Sequence, residues 1–113
     1  MTKIYHNPRC SKSRQGLEIL ENSGKPFEIV KYLDDTLSAE ALEEIISLLK
    51  IKPIELVRKN EAIWKSDFKG KDLTDTEVID AMVQNPKLIE RPIVVNGKKA
   101  VIGRPPSLIV DIV

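Results

Sequence analysis

A single cysteine, Cys10, excludes any intramolecular disulfide. Together with the single histidine, His6, it falls short of the four ligands of a closed zinc site, so no metal is expected. Long apolar runs are missing too. The longest, such as Ile93-Val94-Val95 or Ile109 to Val113 with Asp111 inside it, fall far short of the ~20 residues a membrane helix needs. The segment Met1 to Pro8 lacks the apolar stretch of about 7–15 residues that marks a secretory signal, which makes the cytoplasm the expected compartment. Nor is there an excess of either charge. Eighteen Lys and Arg against 17 Asp and Glu leave a net +1, so no global field draws nucleic acid or an anionic membrane, and any anion site must be local. What the 113 residues do contain, 42% hydrophobic and 31% charged, suits one compact domain over residues 1–113.

The elements can be read in order. Residues 3–5 suit a short strand that Asn7-Pro8 ends, because proline cannot donate to a ladder and biases the residue before it toward extended backbone. Ser11 to Ser23 suits a helix, with Leu17 and Leu20 on one face and Gly24 placed to close it. Phe27 to Lys31 is a second strand. The ~15-residue crossover predicts a parallel βαβ unit. Ser38 caps a second helix with Leu42, Ile45, Ile46 and Leu49 as its buried stripe. Pro53 opens a shorter helix to Arg58, and residues 60–71 around Trp64 and Phe68 read as irregular packing.

Thr74 and Glu77 form a capping box, with Leu73 and Val78 as a hydrophobic staple, for a helix that Asn85-Pro86 stops. Ile93 to Ile102 then predicts an antiparallel hairpin turning at Asn96-Gly97 in a type I′ geometry. Leu108 to Val113 predicts a last helix. The order βα, βα, a helical insertion over about residues 38–86, then ββα is an α/β, thioredoxin-like plan: a mixed parallel and antiparallel four-stranded sheet flanked by helices.

Cys10 falls between the first strand and the first helix, where unpaired N–H groups and the helix dipole favour a thiolate and can cradle an oxyanion beside it. Arg9, Lys12 and Arg14 add positive charge, and Ser11 and Ser13 offer further donors. The alternative is a buried, inert thiol, against which the polar and cationic neighbours argue. Ser13 stands where a C-x-x-C motif would carry its second cysteine, so turnover would need electrons from an outside thiol, glutathione or a glutaredoxin-type protein.

The segment Ile4-Tyr5-His6-Asn7-Pro8-Arg9-Cys10-Ser11-Lys12-Ser13-Arg14 resembles the catalytic loop of the ArsC-type, glutaredoxin-dependent arsenate reductases. Leu56 to Asn60, Leu88 to Val95 and Gly103-Arg104-Pro105 resemble that family as well, in order, so that the likeness covers essentially the whole chain. The resemblance implies Cys10 as nucleophile and Arg58, Arg91 and Arg104 as ligands of an arsenate-like oxyanion, a role to which planar guanidinium forks are suited. It also implies that Pro92 is a cis-proline beside the thiol and that His6 tunes the cysteine, with Ser13 and Arg14 in support. Arsenate would be reduced to arsenite through a Cys10–arsenate adduct resolved by glutathione and glutaredoxin, in arsenic detoxification. Glutathione would be a co-substrate and no cofactor would be bound. A monomer that engages neither nucleic acid nor membrane is expected. Arg9 and the Ser11-Lys12 pair depart from the small residue and the Gly-Thr pair common in the family. Two other readings belong to the same resemblance: a thiol oxidoreductase with a different substrate, and an Spx-type regulator that binds RNA polymerase, although the switch of the latter typically needs the C-x-x-C absent here.

Overall fold

A computed structural model describes residues 2–113. The chain forms two compact units, one from Met1–Asp35 with Arg91–Val113 and the other from Thr36–Glu90.

The first unit is built on a four-stranded sheet in the order β2-β1-β3-β4. β1 (Thr2–Tyr5) runs parallel to β2 (Phe27–Val30), with Ile4 opposite Ile29, and antiparallel to β3 (Ile93–Asn96), with Ile4 opposite Val94. Between β1 and β2 lies α1 (Ser11–Ser23), closed by Gly24 at φ 71°, a left-handed conformation that glycine adopts without a Cβ penalty. Ile4, Leu20, Val94 and Ile109 make a fully buried core, against which Leu17, Phe27 and Val101 pack. This is the thioredoxin-like architecture.

β3 and β4 (Lys99–Ile102) pair with Asn96 opposite Lys99, so the two loop residues are Gly97-Lys98 rather than Asn96-Gly97. Among the loop residues only Gly97 has a positive φ, 62°, which is the pattern of a type II′ turn instead of type I′. The Asn96 side chain is committed elsewhere, donating to the Ile112 carbonyl. The chain after β4 is a 3-10 helix, Pro106–Ile112, longer at its start and tighter than the helix expected from residue 108.

The second unit is helical. In α2 (Ala39–Leu49) the Ser38 hydroxyl accepts from the Ala41 N–H at 3.1 Å, and Leu42, Ile45 and Ile46 are buried. Pro53–Leu56 is a 3-10 turn that ends before Arg58. Residues 60–71, expected to be irregular, contain the short helix α3 (Ala62–Asp67). Burial of Trp64, whose ring stacks on Phe68 at 5.4 Å, organises that segment where its own periodicity is weak. α4 (Asp75–Gln84) begins at the Thr74–Glu77 capping box and buries Val78, Ile79, Ala81 and Met82. Among the described residues no helix is long and apolar enough to cross a membrane.

Candidate active site

β1 delivers the chain to His6, whose N–H donates to the Val30 carbonyl at 2.9 Å. A turn follows. The Cys10 N–H donates to the Asn7 carbonyl at 3.0 Å, while the Asn7 Oδ1 accepts from the Arg9 N–H at 3.0 Å. The asparagine therefore folds the loop over itself, as an Asx turn does. Cys10 is the N-cap of α1, with extended backbone (φ −101°, ψ 124°), and its carbonyl accepts the first helical bond from Arg14. Its half-buried side chain makes no capping bond, which leaves the thiol at a helix N-terminus whose first-turn N–H groups lack intrahelical partners.

His6 and Ser13 are both buried. The Ser13 hydroxyl accepts from the Asn7 N–H at 2.9 Å and lies 2.7 Å from His6 Nδ1. The hydroxyl thus links the loop backbone at Asn7 to the imidazole. Burial lowers the pKa of His6 from its usual 6.5; the nearby Lys31 charge acts the same way, with a smaller contribution from Arg14, and a backbone hydrogen bond at Ser13 offsets part of the effect. The imidazole is thus held neutral at pH 7, locking the strand end to α1. The Ser13 hydroxyl is engaged by the Asn7 N–H and the His6 ring. Its burial was readable all the same, since Ser13, Gly16 and Leu20 share the inward face of α1. Arg14 is exposed and donates through Nη1 to the Pro8 carbonyl at 2.9 Å, bracing the loop.

Arg91 and Arg104 meet a common junction in the same unit. Each precedes a cis peptide bond, Arg91–Pro92 and Arg104–Pro105. The Gly103 N–H donates to the Pro92 carbonyl at 2.7 Å. A Cβ placed on Gly16 would stand 2.9 Å from Pro92 Cγ, and one on Gly103 would stand 3.0 Å from the same atom. Two glycines therefore admit Pro92 against α1, bringing the backbones next to Arg91 and Arg104 toward the helix that starts at Cys10. Arg91 is buried and Arg104 exposed.

Arg58 belongs to the other unit. An antiparallel bridge between Val57 and Ile89 carries the bonds Arg58 N–H to Leu88 carbonyl (2.7 Å) and Glu90 N–H to Leu56 carbonyl (2.9 Å), which sets Glu90 beside Arg58. Arg58 Nη1 donates to Glu61 Oε1 at 2.7 Å, and its Nε lies 3.5 Å from Glu90 Oε1. Sequence reasoning missed both carboxylates. The i, i+3 spacing could have signalled Glu61, whereas Glu90 arrives only through the bridge. Among the described residues no group of three or more His, Cys, Asp or Glu is arranged to ligate a metal ion.

Known proteins share this sequence and fold. The ArsC family profile matches residues 5–112. The chain belongs to the ArsC family. It is 45% identical to the uncharacterised protein YfgD of Escherichia coli K12, over 98% of this chain and 95% of that one. It is 42% identical to an arsenate reductase of Haemophilus influenzae, with 96% of each chain covered. The solved arsenate reductase of Vibrio cholerae superposes with a TM-score of 0.94 at 39% identity, covering 99% of this chain and 97% of that one. The ArsC fold is thus matched along essentially the whole length.

Proposed function

We propose that the chain is a cytoplasmic, thiol-dependent reductase that converts arsenate to arsenite. The observation carrying this reading is the thiol of Cys10 at the N-cap of α1, on a chain alike from end to end to proteins named arsenate reductase. Cys10 is the nucleophile, and Arg58, Arg91 and Arg104 are the ligands of the oxyanion, their guanidinium groups stabilising the charge on its oxygens. The first-turn N–H groups of α1 add neutral donors beside the thiol.

The thiolate forms a sulfur–arsenic bond as one arsenate oxygen leaves as water after protonation. Glutathione displaces a second oxygen in the same way. A glutaredoxin thiol then attacks the glutathione sulfur, and the electron pair of the breaking sulfur–arsenic bond stays on arsenic, reducing As(V) to As(III). Hydrolysis of the remaining bond releases arsenite and restores the Cys10 thiol. The external thiols are needed because a single cysteine cannot both hold arsenic and resolve its own adduct.

An NADPH-coupled assay with arsenate, glutathione and glutaredoxin tests the cycle. Turnover is expected with all components, to be lost in Cys10→Ser, and to be poorly supported by thioredoxin. Steady turnover on thioredoxin alone overturns the resolving step. An alkylatable Cys10 with no arsenate turnover under any thiol overturns arsenate as substrate and points to another substrate for the same thiol.

A further inference from the structure

The function proposed above gives Arg58 an oxyanion to hold, yet this guanidinium already holds a carboxylate. Its Nη1 donates to Glu61 at 2.7 Å, a charge-assisted hydrogen bond, while Glu90 stands at the looser ion-pair distance of 3.5 Å from Nε. An oxyanion that takes Arg58 as a ligand must therefore compete with the Glu61 carboxylate for the same guanidinium. The side chains of Arg58 and Glu61 are 23% and 27% exposed, so the pair is only partly screened by water.

Glu61 also has somewhere else to go. It lines an open groove of about 450 Å³ together with Gln84, Asn85 and Lys87, so a carboxylate released from Arg58 finds both space and a cation along the same wall.

We propose that Glu61 is the internal anion of Arg58, displaced toward the Lys87 groove when an oxyanion binds, and that it thereby sets the protein's affinity for the oxyanion. This rests on the reading of Arg58 as an oxyanion ligand, and makes Glu61 a residue that acts through Arg58 rather than one that touches substrate. Glu61 weakens binding by competition; a carboxylate that merely oriented the arginine would strengthen it.

The experiment is equilibrium titration of arsenate into the full chain carrying Cys10→Ser, so that no adduct forms, with Glu61→Gln, Glu61→Ala and Arg58→Lys each added. Removing the competing charge is expected to tighten arsenate binding about three- to fivefold in both Glu61 variants, the range open to a partly exposed ion pair. Arg58→Lys is expected to weaken it. Weaker or unchanged binding in the Glu61 variants, with Arg58→Lys also weaker, overturns the competition and leaves the function standing. Unchanged binding in Arg58→Lys removes Arg58 from the oxyanion site and overturns this inference with it. Absence of arsenate binding in every form overturns both.

Discussion

His6 and Ser13 meet behind the loop that carries Cys10, and burial disfavours a charge on the ring. Because the folded protein lowers the histidine's pKa below its ordinary 6.5, the unfolded chain binds the proton more readily. Stability from this group is therefore fully present above pH 6.5 and is lost as pH falls through the lower, folded value. Urea unfolding at a series of pH values between 7.5 and 5 should show falling stability, and His6→Asn, which cannot titrate, should flatten that part of the profile. At this scale the sequence disclosed Cys10 clearly, since the Asn7-Pro8 break and the helix starting at Ser11 leave a cysteine only one place to stand. Arg91 and Arg104 were legible only through the joint resemblance. Their approach to α1 depends on Gly16 and Gly103, whose purpose becomes visible only when the packing is.

Gly16 is unusual for a helix interior, where glycine costs ~1 kcal/mol relative to alanine. Here that gain from alanine is outweighed, because the added Cβ would press to 2.9 Å on both Pro92 Cγ and Ile109 Cδ1, and overpacking a close-packed site costs ~1–3 kcal/mol. Gly16→Ala should therefore lower the urea midpoint, by a net ~1 kcal/mol, and should slow turnover as the Pro92 junction shifts. An unchanged or raised midpoint would show that the junction relaxes freely. Elements with local signals were readable in advance: α1 by its closing glycine, α2 by Ser38, α4 by its capping box. α3 was not. Its six residues hold too few turns for a periodic stripe, and its order comes from burying Trp64, whose ring stacks on Phe68. The hairpin was legible as a hairpin but one residue out in its turn, because Asn96 is taken up by the C-terminal 3-10 helix.

For the whole molecule, near-neutral net charge removes the long-range repulsion that keeps many proteins apart in solution. Solubility must then be defended locally, and the sheet shows where. β2 lies at its edge, and Ile29 on that strand is 43% exposed. The strand is only four residues long, with the exposed Glu28 between Phe27 and Ile29 and Pro26 and Lys31 at its two ends. Shortness, charge and proline are the devices by which an open strand refuses a foreign partner. Glu28→Val would turn the edge into Phe27-Val-Ile29-Val30, an uncharged run of strong strand formers. Light scattering should detect association of that variant at concentrations where the parent stays clear, with little change in the folding of either one. One glutamate would then be guarding the chain against its own copies.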